Sequence, residues 1–345
     1  MSTISVLMPF MPTRSEQALP LAALVQHSAA YRLWQGQALI VEPHQTFSHL
    51  AASGFRVPVG TGVTLMPFRH PYEAALQARS LALATGHPMV AGYGPGAAVL
   101  QRSVLGAPYA SPLTAVREYL TIVGGLLAGR QVEHDGEYFA CHVELVPEPA
   151  PPVEVGLGVL RPRMARVAGE VADVAITWMT PPRYLRDVIV PALREGAQAA
   201  GRPVPRLVAM VPLALGAPDR DPVELLLAGN AGHLKLPHYQ DMLRRSGIDV
   251  DPNDLAGSAK AVIAGRAFVS GDADEILAVL DEYRAAGVDE IVLNVTGLCR
   301  RYGLPTALGE LETLLGALAR GAAAAESVAP ADAGRFATAS RGGVL

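Results

Sequence analysis

The chain has 345 residues, which exceeds most single domains but suits one α/β barrel that carries insertions. Its 28 basic and 32 acidic side chains give a formal net charge of -4. Without a basic block, this charge argues against nucleic acid or an anionic membrane as the main partner. Since 50% of the residues are apolar and 17% are charged, the chain can build a large core. The two cysteines, Cys141 and Cys299, cannot by themselves form a disulfide framework or a thiolate zinc site.

Residues 1–10 lack the basic start of a signal peptide, and prolines occur early in the chain, at Pro9 and Pro12. No apolar stretch reaches the roughly 18 residues that a membrane span needs. We therefore expect a soluble cytoplasmic protein.

Short apolar runs alternate with longer amphipathic ones along most of the chain. Eight runs are typical of strands: 4–8, 31–34, 56–65, 88–91, 153–157, 174–177, 207–215 and 288–295. The intervening pattern predicts helices over 19–28, 44–54, 71–85, 112–128, 161–172, 182–200 and 221–228, then after Asp272 and over 305–319. The most regular helix, 112–128, repeats apolar residues at spacings of three and four.

Eight strands alternating with helices favour a (β/α)8 barrel in a single domain over residues 1–320. A doubly wound open sheet is the alternative, but no G-x-G-x-x-G opens a helix directly after the first strand. Residues 229–265 interrupt the rhythm and are predicted to be an insertion. Residues 321–345 are rich in Ala, Gly and Ser without apolar periodicity, which predicts a flexible tail.

In a barrel of this kind, functional residues follow the strand ends, and four of those loops here are rich in glycine. The run from Gly158 to Arg163 precedes a predicted helix, so free N–H groups and two guanidiniums could hold an anion. The alternative is that these glycines only make tight turns and that the arginines are solvated.

The histidines show no metal-binding spacing, and we expect no metal site. The sequence also lacks a G-x-S-x-G elbow and any recognisable pairing of cysteine with histidine. A large pocket without such groups favours chemistry supplied by an organic cofactor.

Several stretches together resemble one known family. They are 57–64 (VPVGTGVT), 69–71 (RHP), 91–96 (AGYGPG), 163–170 (RMARVAGE), 172–174 (ADV), 199–203 (AAGRP), and 271–275 (GDADE) with 286–290 (AGVDE). In order and spacing, over residues 4–318, they resemble the luciferase-like monooxygenase superfamily, and within it the oxidoreductases that use the deazaflavin coenzyme F420. The resemblance implies a TIM barrel of the bacterial-luciferase type, with an insertion after its seventh strand that could overhang the pocket, and a homodimer.

The resemblance also implies a coenzyme site. The third strand would carry a non-prolyl cis peptide, matching Gly62–Val63, that supports the coenzyme ring. The ring would lie near Pro9, Gln37, Thr61, Gly62, Val63, Gly92, Tyr93 and Gly94. The coenzyme phosphate would lie after the fifth and sixth strands, near Gly158, Val159, Leu160, Arg161, Arg163, Trp178, Met179 and Thr180.

The sequence departs from several relatives, which place an acid–histidine pair after the second strand and a glutamate after the fourth. Here those stretches, residues 35–38 and 94–97, contain no acid, which puts a sugar-phosphate dehydrogenase activity in doubt. We take Tyr93 and Gln37 as candidate catalytic residues, with Tyr93 as the candidate proton donor. Tyr109, His44, His70 and water are the other candidate donors, and His70 is also expected to cap the helix that follows it.

These points predict a reductase in which reduced F420 delivers hydride to an activated C=C or C=N. The substrate would be a small molecule or modified peptide, as in natural-product tailoring by reduction of a dehydroamino acid or cyclic imine. Two alternatives remain open: an FMN-dependent luciferase-like monooxygenase, and a non-catalytic barrel that binds flavin or a peptide.

Overall fold

A computed structural model describes residues 2–328, with side chains described to residue 321. Eight parallel strands form the barrel: β1 (Thr3–Leu7), β2 (Leu33–Gln35), β3 (Val59–Leu65), β4 (Met89–Gly94), β7 (Val153–Gly158), β8 (Val174–Trp178), β9 (Arg206–Leu215) and β11 (Glu290–Asn294). They pair in the order β11-β1-β2-β3-β4-β7-β8, and β9 closes the ring by pairing with both β8 and β11. The predicted (β/α)8 barrel is therefore confirmed.

Helices surround the barrel: α1 (Leu19–His27), α2 (Pro43–Ala52), α3 (Pro71–Thr85), α4 (Ala98–Leu105), α5 (Pro112–Leu127), α6 (Pro162–Val171), α7 (Pro182–Tyr184), α8 (Val190–Ala200), α9 (Pro222–Leu234), α10 (Pro237–Arg245), α11 (Leu255–Ala264), α12 (Ala273–Ala285) and α13 (Thr296–Val328). A π-helical stretch, Leu185–Ile189, joins α7 to α8, and α13 is kinked at Gly303. A hairpin, β5 (Val132–Asp135) with β6 (Ala140–Val143), follows α5, and the short β10 (Val269–Gly271) pairs with β9.

Local sequence explains several of these boundaries. Asp272 and Glu275 form the capping box expected at the start of α12. His70 caps α3 through its ring nitrogen, as expected, and Gly86 ends that helix at φ 74°, a conformation that glycine adopts without a Cβ penalty.

The sequence misses other elements for physical reasons. Helix α4 buries only Gln101 and leaves Val99 73% exposed, so it has no apolar stripe facing the core. The predicted helix 221–228 is longer in the structure, because α9 runs unbroken from Pro222 to Leu234 into the first residues of the predicted insertion. Helix α13 continues past the predicted start of the tail to Val328, and residues 329–345 lie outside the described part of the chain.

The amino-terminal ends of the strands are closed by a buried polar network. The fully buried Glu290 accepts hydrogen bonds from Ser5 (2.7 Å) and from the Trp34 indole (2.7 Å). Arg32 lies 3.4 Å and Arg206 3.6 Å from its carboxylate. This network occupies the amino-terminal end of the barrel, which we call the floor, so we expect a ligand at the carboxyl ends of the strands, where barrel enzymes have their active sites.

Candidate active site

The bulge on β3 shapes the open end of the barrel, which we call the mouth. The Gly62–Val63 peptide is cis, as the resemblance implies, and the pairing of β3 with β4 shifts register between Thr61 and Thr64. Both threonine hydroxyls donate to the Gly92 carbonyl at 3.2 Å, and the Gly92 N–H donates to the Thr61 hydroxyl at 2.9 Å. Thr61 therefore bonds the bulge to β4. Because its hydroxyl is used in these bonds, a ligand could contact its backbone rather than its hydroxyl.

The predicted site glycines differ in what surrounds them. A Cβ on Gly92 would overlap the Thr61 carbonyl oxygen, so backbone packing requires glycine there. A Cβ on Gly94 would lie 2.9 Å from one methyl of Val63, and a Cβ on Gly158 would lie 3.3 Å from the other. The partly exposed Val63 side chain thus lies between these two strand ends and lines the mouth.

Gln37 has its side chain fully engaged next to the bulge. Its Oε1 accepts from the Leu65 N–H at 3.1 Å, and its Nε2 donates to the Ala38 carbonyl at 2.9 Å. Its own N–H donates to the Val63 carbonyl at 2.9 Å. These bonds correct its interpretation as a catalytic residue, because they make Gln37 a support of the bulge.

Tyr93 does not face the mouth. Its ring is 1% exposed and packs on Tyr119, and its hydroxyl donates to the Ala74 carbonyl of α3 at 3.2 Å. Burial also raises the pKa of Tyr93 well above its usual range. The prediction that Tyr93 donates the proton is therefore wrong, since its hydroxyl lies in the layer between the barrel and α3.

His70 and Tyr109 also have structural contacts. His70 accepts from the Tyr72 N–H through Nδ1, and its Nε2 lies 3.1 Å from the Ala140 carbonyl of the hairpin. Tyr109 packs edge-on against Tyr138. Among the candidates from the sequence, Tyr109, His44 and water remain as proton sources.

The loop between β7 and α6 offers donors at a helix amino terminus. The Val159 N–H is used by the Ile176 carbonyl, whereas the N–H groups of Leu160 and Arg161 make no hydrogen bond within the described residues. Arg161 and Arg163 are exposed, and a guanidinium nitrogen of Arg161 lies 3.7 Å from Asp241 on α10. This arrangement matches the chemistry of a phosphate or carboxylate.

At the end of β8, Trp178 contacts α9, where the predicted insertion begins. Its indole N–H donates to Asn230 of α9 at 3.2 Å, and its ring stacks on His233 with centroids 5.3 Å apart. Tyr239 of α10 meets His233 edge-on at 4.9 Å. Burial, with smaller contributions from His238 and Arg300, lowers the pKa of His233 to about 4. Helices α9 and α10 therefore pack over the mouth at β8 through an aromatic cluster in which burial favours the neutral form of His233.

Three other predicted residues are buried. Pro9 follows β1 with its ring covered, and Met179 is fully buried with a φ of 52°. Thr180 is 2% exposed, and its hydroxyl donates to the Trp178 carbonyl at 3.2 Å. The side chains of Met179 and Thr180 therefore shape the loop after β8, and a ligand could reach only its backbone.

The loop after β2 holds an acid–histidine pair that sequence reasoning missed. Glu42 caps α2, its carboxylate lies 2.7 Å from Nδ1 of the buried His44, and Arg69 lies 3.2 Å from the same oxygen. Burial acts to raise the pKa of Glu42, but His44 and Arg69 outweigh it and lower that pKa. The available signal was Glu42-Pro43 as an N-cap followed by proline at N1.

Within the described residues, no group of three His, Cys, Asp or Glu side chains is arranged to hold a metal ion. None of the described helices is both long and apolar enough to cross a membrane.

The family model described as luciferase-like monooxygenase matches residues 13–290. The chain belongs to this family. This luciferase-like protein is 29% identical to 5,10-methylenetetrahydromethanopterin reductase of Methanolobus tindarius over 231 residues, which are 66% of this chain and 68% of that one. It is also 29% identical to F420-dependent glucose-6-phosphate dehydrogenase of Nocardia farcinica over 281 residues, which are 76% of this chain and 80% of that one.

Solved structures share the fold of this luciferase-like protein. An F420-dependent secondary alcohol dehydrogenase in complex with an F420–acetone adduct superposes with a TM-score of 0.70 at 18% identity, covering 91% of this chain and 99% of that one. The oxygenating constituent of 3,6-diketocamphane monooxygenase of Pseudomonas putida, in complex with FMN, superposes with a TM-score of 0.68 at 15% identity, covering 90% and 96%.

Proposed function

We propose that this chain is a coenzyme F420-dependent reductase. The observation that carries the proposal is its 29% identity, over 76% of its length, to a relative named as F420-dependent. That relative is named for glucose 6-phosphate and a solved structure of the same fold for a secondary alcohol, and both are named as F420-dependent, so what they share is the coenzyme rather than the substrate.

The chain's own residues fit such a coenzyme at two places. The free N–H groups of Leu160 and Arg161, with the guanidiniums of Arg161 and Arg163, would bind its phosphate. The β3 bulge, with Val63 and the backbone of Gly62, would support the ring from below, while Gln37 holds the bulge in place.

When bound, the reduced deazaflavin supplies hydride. We propose that the acceptor is an activated C=C or C=N, since residues 94–97 after β4 contain no acid; the Glu42–His44 pair after β2 could give a proton in reduction or take one in oxidation. The proton would come from His44, whose Nε2 makes no hydrogen bond within the described residues, or from water.

The rim of the mouth supports an apolar substrate. The loops after β1, β2, β3 and β4 expose large apolar side chains, namely Met11, Leu39, Ile40, Phe68 and Val99, of which Leu39 and Ile40 are 70% and 62% exposed. An apolar natural-product intermediate or a modified peptide suits such a rim better than a sugar phosphate does.

An FMN-dependent monooxygenase is the second candidate. It is favoured by the shared fold with an FMN complex, and the α6 terminus would accept the phosphate of FMN equally well.

The test mixes the purified full chain with reduced F420 under anaerobic conditions and follows the return of oxidised coenzyme. The panel holds a dehydroalanine peptide, a cyclic imine and an apolar enone, while glucose 6-phosphate with oxidised F420 tests the opposite direction. We expect turnover of at least one unsaturated substrate and none of the sugar phosphate. Sugar-phosphate oxidation, or oxygen-dependent turnover with reduced FMN alone, would contradict the proposal.

A further inference from the structure

Asn294, the last residue of β11, faces the inside of the barrel at the mouth. Two and four residues earlier, Val292 belongs to the interior apolar cluster and Glu290 bonds to Ser5 and Trp34 inside the barrel. Since side chains alternate along a strand, Asn294 points inward as well, one layer nearer the carboxyl end. It is 2% exposed.

The hydrogen bonds of Asn294 fix which end of its carboxamide is free. The Thr296 N–H lies 3.0 Å from one amide atom, and since an N–H can only donate, that atom is Oδ1. The other atom is therefore Nδ2, which is buried and has no hydrogen-bond partner within the described residues. A buried donor without a partner is destabilising, so we expect this N–H₂ group to have an acceptor.

Three other polar side chains around the mouth already have partners, whereas Nδ1 of His233 is also buried without one within the described residues. The Thr61 hydroxyl bonds to Gly92, the Gln37 amide to Leu65 and Ala38, and the Trp178 indole to Asn230.

Gln35, at the end of β2, is the informative contrast. It is also 2% exposed, and neither of its amide atoms has a partner within the described residues. Its neighbour Trp34 points inward, however, so Gln35 faces the helix layer. Asn294 thus combines a free buried donor with a position at the mouth.

We propose that Asn294 donates through Nδ2 to a carbonyl oxygen of the molecule bound in the mouth. This inference rests on the proposed function, which supplies such carbonyls on the coenzyme ring and, where an activated C=C is reduced, on the substrate. A neutral donor suits an oxygen that gains electron density during reduction, because it stabilises that charge without needing a proton transfer.

Three variants of the full chain test the inference. Asn294→Asp keeps the oxygen that caps Thr296 and replaces the donor with an acceptor, whereas Asn294→Leu removes both. Gln35→Met is the matched control, because it alters an equally buried, unpartnered carboxamide that faces away from the mouth. Urea unfolding and circular dichroism establish that each variant is folded.

Two experiments are made on each variant. Fluorescence quenching gives the Kd of oxidised F420, and steady-state kinetics give kcat and KM for 2-cyclohexenone at saturating reduced coenzyme. We expect both Asn294 variants to weaken coenzyme binding or to lower kcat/KM about tenfold, as the loss of one good hydrogen bond implies. We expect Gln35→Met to stay close to wild type. A higher Kd for the coenzyme assigns the donor to a ring carbonyl. An unchanged Kd with a higher KM or lower kcat assigns it to the substrate.

Unchanged Kd, KM and kcat in both Asn294 variants would overturn the inference, because a bound water would then satisfy Nδ2. If the wild-type chain does not reduce 2-cyclohexenone, the coenzyme Kd alone decides. A wild-type chain that binds no F420 would refute the proposed function itself, a result visible before any variant is made.

Discussion

The two ends of the barrel interior differ in the side chains that they bury and in the hydrogen bonds that those side chains make. At the floor, Glu290 joins Arg32, Arg206, Ser5 and Trp34 in a network of charges and large side chains. At the mouth, β4 and β7 end in glycines, β11 ends in an inward-facing asparagine with a free donor, and the loops carry exposed arginines and apolar side chains.

This difference separates stability from function within one sheet. The floor pairs the buried charges of Glu290 and Arg32 with each other, although Arg32 Nε and Glu290 Oε2 make no hydrogen bond within the described residues, and we expect these residues to hold the fold together. The mouth leaves polar groups unpaired and backbone accessible, which costs stability and suits binding. Changes at the floor should therefore alter unfolding, and changes at the mouth should alter ligand affinity.

Glu290→Gln should give the largest effect. It leaves the buried Arg32 facing a neutral amide, whereas the partly exposed Arg206 keeps its pair with Glu154, and breaking a buried ion pair costs about 3–5 kcal/mol of the free energy of unfolding. Urea denaturation measures this loss. The control is Glu224→Gln, which breaks an exposed pair with Arg301 and should cost less than about 1 kcal/mol. Equal stabilities of the two variants would contradict the role given to the floor.

His233→Phe tests the aromatic cluster through pH. The His233 pKa is about 4 in the folded chain against 6.5 in a free histidine, so the unfolded chain binds more protons between these values. Stability should fall as pH falls from 6.5 to 4, by up to about 3 kcal/mol from this group. Phenylalanine keeps the stacking on Trp178 and cannot titrate, so urea unfolding at pH 7 and pH 4.5 should show a smaller drop. An identical drop in both proteins would exclude a buried neutral His233.

Gly92→Ala and Gly158→Ala compare two glycines of the mouth. The first places a Cβ against the Thr61 carbonyl and should cost about 1–3 kcal/mol of stability. The second places a Cβ 3.3 Å from a Val63 methyl, a contact that small shifts relieve, so it should change stability less and weaken coenzyme binding instead. Thermal unfolding and fluorescence titration separate the two effects, and the reverse pattern would show that these glycines have been assigned the wrong roles.

Arg161→Gln should give the smallest free-energy change. Loss of one charge-assisted contact to a phosphate should weaken coenzyme affinity about tenfold, or about 1.4 kcal/mol, and leave stability unchanged. Arg183→Gln is the matched control, because Arg183 is 82% exposed and pairs only with Asp187 on its own helical turn. Equal affinities of the two variants would remove Arg161 from the phosphate site.

The sequence predicts the barrel well because alternation and helix periodicity are local signals of burial. It misses α4, whose apolar residues face solvent, and it places Tyr93 at the mouth although the pleat turns that ring towards α3. It also misses the pairing of Glu42 with His44 and the free donor of Asn294, since both depend on hydrogen bonds that spacing does not encode.

The central claim is that the mouth binds a deazaflavin coenzyme. Parallel fluorescence titrations of the full chain with oxidised F420 and with FMN test it most directly. The account predicts saturable F420 binding that is tighter than FMN binding and that weakens in Arg161→Gln. Tighter binding of FMN, or no binding of F420, would contradict it.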